Sequence, residues 1–439
     1  MSKTKATLHV RSHPLEALVA ATVGFFVGFA AVALFNVTAK TFKEAMGLDP
    51  VQVGLLVAMP NLSGSLLRIP FSAWVDTDGG RRPMLTLLGL ALLGMLGLIA
   101  LLLAYYPDGL TAGLYPVLLF LGFLSGCGIA TFSVGISFVS YWFPQNRQGW
   151  ALGTYAGVGN LAPGLFTFLL PTALAAWGLL GTYVAWTALL LLGTLVFYAL
   201  GYGAPYFQLL RLGLSREEAK AQARALGQEL FPAGSLVETL ARSAAKWRTW
   251  VLVALYFTSF GGFLALTAWL PTYWREFLGQ DVTQAAYLTA YFSILASVVR
   301  VFGGSLSDRI GGERAAFLAY GLVVLGALLL TQASSFGLAF LGETLLGFGM
   351  GVGNAAVFKM VPYYVPDAVG GASGWVGGLG ATGGFVVPPV LGYFVRAYGE
   401  ARGYPMGYTV YVALGLLALL LVWLLSATKR EVVRAQERA

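Results

Sequence analysis

The sequence predicts an all-α membrane protein: twelve transmembrane helices in two pseudo-symmetric six-helix bundles. Three observations carry that expectation. Of 439 residues, 58% are hydrophobic and only 10% charged, where a soluble domain has roughly 25% charged residues. The apolar residues fall into twelve stretches, each close to the ~20 residues needed to cross a bilayer. A motif near the end of the second stretch returns near the end of the eighth at a constant offset. The same composition excludes other classes. His9, His13 and Cys127 are the whole supply of imidazole and thiol, so a zinc site, a disulfide framework and a Ser-His-Asp triad are out of reach. The chain is expected to carry no cofactor or metal and to be no enzyme. Its net charge of +8 is scattered among short loops, a topology signal rather than a surface for nucleic acid.

The spans lie near 15–38, 51–75, 83–105, 113–142, 149–175 and 180–203, then 248–273, 283–306, 315–332, 336–361, 370–395 and 405–427. Short separators rich in Gly, Pro or charge divide them, such as Leu48-Asp49-Pro50 and Tyr106-Pro107-Asp108-Gly109. The first span is longer than a signal-peptide core and eleven more follow it, so it reads as an uncleaved helix. One separator differs. Residues 204–247 hold Arg211, Arg216, Glu217, Glu218, Lys220 and Arg224, a polar linker with a surface helix expected around 215–230. It divides the chain into an N-terminal bundle (1–203) and a C-terminal bundle with its tail (248–439). With the N-terminus inside, twenty basic residues lie on the cytoplasmic side. Five lie outside: Lys40, Lys43, Arg275, Arg396 and Arg402. That excess places both termini in the cytoplasm, in a multi-pass protein of the plasma membrane.

The repeat is found by subtraction. Arg68, Asp76, Gly79-Gly80 and Arg82 recur as Arg300, Asp308, Gly311-Gly312 and Arg314, all displaced by 232 residues. Two parallel six-helix halves follow. The loops Asp76-x-x-Gly-Gly-Arg-Arg and Asp308-Arg-x-Gly-Gly-x-Arg resemble the signature between helices 2–3 and 8–9 of the major facilitator superfamily. The resemblance implies that Asp76, Arg82, Asp308 and Arg314 make the cytoplasmic charge contacts that gate the halves. The plainer reading is of solvated turns with stop-transfer charge.

Arg68 and Arg300 each sit eight residues before the loop aspartate, about 12 Å into the membrane. At that depth an arginine needs protein, water or a counter-ion, and 12 Å exceeds comfortable snorkelling. Glu343 alone qualifies as an intramembrane acid. It is expected only about 10 Å from its outer end, while Arg300 lies about 24 Å below its own. Two symmetric guanidiniums without a protein anion form a clamp for a small one, each offering a planar fork of donors.

The fifth span reads Gly157-Val-Gly159-Asn160 and the eleventh carries Gly377-Gly378-Leu-Gly380 through Gly384 and Pro388. Packing explains most such glycines, but the Asn160 carboxamide must find a hydrogen-bond partner. Together these segments resemble the paired signature motifs of the NarK-type nitrate/nitrite porters. Arg68 in Leu-Arg-Ile-Pro and Arg300 before Val-Phe-Gly-Gly match the arginines that hold the anion in that family. Tyr256 and Phe260, in Leu-Tyr-Phe-Thr-Ser-Phe-Gly, match its substrate-contacting aromatics. Phe132 fits the ring that sandwiches the anion, Phe35 is a further candidate of that kind, and Gly159 accompanies Asn160. The chain departs from the family at Ala381, which stands where symmetry would place a second asparagine. Glu343 is open to two readings, a packed structural acid or a proton site. The resemblance implies a transporter for nitrate and nitrite, with exchange favoured. Nitrate/proton symport and carriage of another small anion such as a monocarboxylate are the alternatives. The expected partners are those anions and the lipid bilayer, in a protein able to act as a monomer.

Overall fold

In the computed structural model, the structure describes residues 10–229, 231, 236–365 and 369–428, and every regular element among them is helical. The spans are α1 (Pro14–Ala33), α2 (Pro50–Ser72), α3 (Arg81–Tyr105) and α4 (Ala112–Trp142), with α5 and α6 sharing the segment Thr154–Leu200. After the linker come α7 (Trp247–Glu276), α8 (Val282–Gly304), α9 (Gly312–Thr331), α10 (Phe336–Val361), α11 (Gly374–Tyr398) and α12 (Glu400–Ala427). The 47-residue segment Thr154–Leu200 would run about 70 Å as one helix, against a hydrocarbon core of about 30 Å. Gly178 breaks it with φ 65° and ψ −176°, a conformation a side chain would resist. Among the described residues, eleven apolar helical segments thus make twelve crossings, α5 being 154–177 and α6 179–200.

Local chemistry starts the helices where the separators predict. Asp49 caps α2 through the Val51 and Gln52 amides, Gln52 returns the bond, and Pro50 follows, a capping box with proline at N1. Asp281 and Ser335 cap α8 and α10 more simply, each accepting one amide, from Gln284 and Leu338. The first span departs from expectation. It stops at Ala33 rather than 38, because Asn36 turns its Oδ1 onto the Val37 amide at 2.6 Å. A separate helix, Ala39–Met46, follows. The described residues of the linker hold three short helices, Pro205–Arg211, Arg216–Ala225 and Leu236–Ala244. The middle one is the expected surface helix, with a Ser215/Glu218 capping box. The third was not foreseen and is tied to the bundle by Trp375 Nε1, which donates to Leu240 O at 2.9 Å.

The N-terminal segment and the linker share one face, where the Arg11 amide donates to Gln208 Oε1 at 2.9 Å and Ser12 Oγ to Leu200 O at 3.2 Å. On that linker face, Arg211 reaches Asp78 at 3.0 Å and Arg82 meets the same carboxylate at 3.4 Å. Among the described residues, the charge contact of this loop is made by Asp78, which pins the linker to the first half. Arg82 is 69% exposed and pairs four residues back across the Gly79-Gly80 turn, and Arg314 is exposed. The side chains of Asp76 and Asp308 lie outside the described residues.

On the far face the halves are joined. Lys43 Nζ meets Glu276 Oε2 at 2.8 Å, Tyr404 donates to the same oxygen at 3.2 Å, and Arg275 donates to Val37 O at 3.4 Å. Below them Asn36 Nδ2 donates to Thr167 Oγ1 at 2.8 Å and reaches Thr267 O at 3.4 Å. Glycines let the seams close: Gly54 lies against Pro388 between α2 and α11, and Gly164 against Ser293 and Ile294 between α5 and α8. Glu276 is only 9% exposed, so Glu276→Gln should weaken this seal by about 1 kcal/mol after solvent screening. In a Val37→Cys, Cys127→Ala background, labelling by a thiol reagent from the far face should rise about fivefold. An unchanged rate removes the pair from the seal.

Candidate functional site

The site forms where α2, α4, α5, α7, α8 and α10 meet. Arg68, 1% exposed, extends from α2 between two rings, its guanidinium carbon 5.1 Å from the centroid of Phe132 (α4) and 5.3 Å from that of Phe260 (α7). Nη1 donates to the Gly377 carbonyl of α11 at 3.1 Å, while Nε and Nη2 have no protein acceptor. Arg300 enters from α8, half-buried, 5.7 Å from the same Phe260 ring. Its Nη2 makes a long 3.5 Å contact to Tyr256 Oη. The guanidinium carbons are thus no further apart than those two ring distances combined. Stacked aromatic faces stabilise a desolvated guanidinium by up to about 2 kcal/mol, but they accept none of its N–H groups.

Helix α7 presents its aromatics through an irregular turn. Residues Phe257–Gly261 form a π-helical turn, the kind of local widening that is frequent at functional sites. Tyr320 Oη donates to the Leu255 carbonyl at 2.6 Å and Ser259 Oγ to the same atom at 3.3 Å, so the disturbed backbone keeps its partners. Tyr256 and Phe260 stack at 5.0 Å and 11°. Gly380 of α11 leaves the space that the Tyr256 ring occupies.

Asn160 ends the helix Gln145–Asn160 just before Pro163 opens the next turn. It is 4% exposed, and its Oδ1 has no donor. Its backbone carbonyl accepts from Ser297 Oγ of α8 at 3.1 Å, one more tie between the halves. Asn160, Phe260, Phe263, Ala296, Ser297, Arg300 and Asn354 line a cavity of about 10 Å³, roughly the space of one water-sized sphere.

The structure thus brings together Arg68, Arg300, Asn160, Tyr256, Phe260 and Phe132. Two expected members stand elsewhere. Phe35 packs on Gly122 and edge-on to Phe42 at 5.8 Å, inside the first half near the far face. Gly159 supplies room for the Phe25 ring rather than a ligand contact. Phe25 is the ring α1 contributes, 5.3 Å from Phe132 and 5.2 Å from Tyr155. Tyr155 in turn donates to the Thr131 and Phe132 carbonyls at 2.9 and 3.0 Å. Asn354 was also missed, although the rule that selects Asn160, a carboxamide in an apolar run, selects it equally. It is 3% exposed with Oδ1 unpartnered.

Glu343 is separate from this cluster. It is 1% exposed in α10, neither oxygen has a hydrogen-bond partner of good geometry, and its neighbours are Tyr273 and Trp274 of α7 and Tyr408 of α12. Arg300 is not among those neighbours, in keeping with the different depths expected for Glu343 and Arg300.

Residues 21–342 match the profile of the Major Facilitator Superfamily, and residues 249–437 that of "Sugar (and other) transporter". The chain is similar to the "Probable nitrate/nitrite antiporter NarK1" of Thermus thermophilus, at 32% identity over 94% of this chain and 91% of the relative. It is 27% identical to the "Nitrite extrusion protein" of Bacillus subtilis, over 91% and 92%. It is 25% identical to the "Probable nitrate transporter NarT" of Staphylococcus epidermidis, over 91% and 93%. Among solved structures, a D-xylose–proton symporter superposes with TM-score 0.71 at 15% identity, covering 94% of this chain and 98% of that one. An inward-facing bacterial homolog of the lysosomal transporter Spinster gives 0.68 at 16%, covering 97% and 99%. At such identities these two speak for the fold alone. Profile, relatives and fold agree: the chain belongs to the major facilitator superfamily, and within it to the family of NarK-type nitrate/nitrite porters.

Proposed function

We propose that the protein moves nitrate and nitrite across the plasma membrane by alternating access, exchanging one for the other. The two rocking units are 1–203 and 248–439, joined by the linker 204–247. The observation that carries the reading is the pair of arginines at one aromatic slot, with two N–H-bearing nitrogens of Arg68 lacking any protein acceptor. A trigonal planar oxyanion suits this place. Its faces can lie against the Phe132 and Phe260 rings while its oxygens accept from both guanidiniums and from the Asn160 and Asn354 carboxamides. The excess of basic residues in the N-tail, linker and C-tail supports placing the linker face in the cytoplasm. The sealed far face is then the outer one.

Coupling follows from electrostatics. Two unit charges about 10 Å apart repel by about 2 kcal/mol at an effective dielectric of ~20, whereas an anion midway, about 5 Å from each, gains about 3 kcal/mol per contact. Attraction exceeds repulsion, so a loaded site closes more readily than one holding two bare cations. A carrier that reorients only when loaded is an exchanger, and nitrite has the same charge and a similar size. Proton symport is the second reading, supported by the buried Glu343 carboxyl beside Tyr273, Trp274 and Tyr408. The position of Glu343 away from the arginines weighs against it.

Arg68→Lys and Arg300→Lys keep the charge but lose the planar fork, and each should lower initial nitrate uptake at least about tenfold while the purified protein stays monodisperse. Normal uptake by either variant removes the clamp. For coupling, vesicles preloaded with nitrite should take up labelled nitrate about tenfold faster than vesicles holding no substrate anion, and acetate should compete poorly. Accumulation in unloaded vesicles under an inward proton gradient, abolished by Glu343→Gln, would replace exchange with symport.

A further inference from the structure

The 232-residue offset that relates Arg68 to Arg300 also relates Asn61 to Ser293 and Ser65 to Ser297. On each helix the three positions are spaced by four and then three residues, so they share one face. Each set runs from the arginine toward the outer face over two turns, about 10 Å. These side chains are buried: Asn61 0%, Ser65 1%, Ser293 0% and Ser297 9% exposed.

A buried serine in an apolar helix ordinarily donates to the carbonyl four residues back, as Ser297 does to Ser293 O at 2.8 Å. Ser65 Oγ and Ser293 Oγ make no hydrogen bond, nor does Asn61 Oδ1. The Asn61 amide makes one long contact, 3.4 Å to Gly384 O. Each set also faces a glycine of the opposite half: Asn61 lies against Gly384 of α11, and Ser293 against Gly164 of α5. The unpartnered groups therefore sit in the α2/α11 and α5/α8 seams, which are shut in this conformation. Alanine or leucine would fill a permanent seam without leaving polar atoms unmatched.

We propose that these two polar ladders form a second anion-binding station in the outer half of the path, exposed when the seams part, which takes a small oxyanion and passes it to the arginines. The inference rests on the transport reading above. Hydroxyl and carboxamide donors bind an oxyanion without opposing its charge, hence more weakly than two guanidiniums. Affinity then increases inward, and no step away from the arginines meets a site strong enough to trap the ion.

The test compares the two sides of the membrane in right-side-out and inside-out vesicles. The Ser65→Ala/Ser293→Ala double variant should raise the KM for nitrate presented to the outer face by about three- to tenfold, the loss of one or two neutral hydrogen bonds. The KM from the cytoplasmic face should stay within about twofold. An unchanged outer KM, or an equal rise on both faces, overturns the proposal. The wild-type protein tests the transport reading separately, since absence of nitrate/nitrite exchange there sinks that reading and not the ladders. A second arm needs no transport. In a Cys127→Ala background, Asn61→Cys and Ser293→Cys should be labelled by a membrane-impermeant thiol reagent from the outer face and protected by nitrate. Labelling that fails to occur, or that nitrate leaves unaltered, counts against the station.

Discussion

Two guanidinium groups, one buried and one half-buried, beside one phenyl ring are the constraint on which the rest of the structure turns. A buried arginine is expensive unless its charge and its N–H groups are both answered. Here the rings of Phe132 and Phe260 answer part of the charge for Arg68, and the Gly377 carbonyl answers one nitrogen. What is left is a pair of cations that, on the proposed reading, a mobile anion completes. The surrounding structure keeps that incomplete arrangement from collapsing. Tyr155 clamps the backbone behind Phe132, Tyr320 holds the irregular turn that carries Phe260, and Gly380 admits the Tyr256 ring.

Pseudo-symmetry sets the layout, and departures from it set the chemistry. Arg68 and Arg300 are equivalent by position, yet one is 1% exposed and the other only half-buried. Phe260 comes from the second half alone and serves both guanidiniums. Asn160 has no counterpart at Ala381, but Asn354 in α10 supplies a carboxamide on the other side of the cavity. On the proposed reading, polar readout is therefore shared between α5 and α10 rather than between α5 and α11. A planar ion has no need of twofold-related partners, only of donors in its plane and rings on its faces.

The fold was legible because each crossing costs about twenty apolar residues and each turn needs a breaker. Even the α5/α6 division shows in the sequence, at Gly178, and the observed spans differ from the predicted ones mainly at their ends. The arginines were legible for the same reason: a charge deep in an apolar run has few explanations. Aromatics carry no such signature. Phe25, Phe29 and Phe35 are equally at home in α1 and its extension, and only packing reveals that Phe25 backs Phe132 while Phe35 faces Gly122. Asp78, two residues beyond the recurring aspartate, belongs to no repeated pattern, yet it is the carboxylate that receives Arg211. Lys43 and Glu276 stand 233 residues apart in two unremarkable separators. No local pattern could pair them.

A carrier must keep its two access states within a few kcal/mol of each other, or one becomes a trap. The sealed outer half displays both sides of such a balance. The Lys43–Glu276 pair, the Asn36 bridge to Thr167 and Thr267, and the glycine contacts of α2/α11 and α5/α8 favour closure. Against them stand Asn61, Ser65 and Ser293, buried with polar atoms unmatched at about 1–3 kcal/mol each. A seam of alanine and leucine would pack more tightly and stay shut. Polar groups that lose their partners on closing instead stabilise the opened form, and do so over the stretch an entering anion must cross. On this view the ladders and the arginines obey one rule: the groups the protein leaves unsatisfied in one conformation are those that bind the ion in the next.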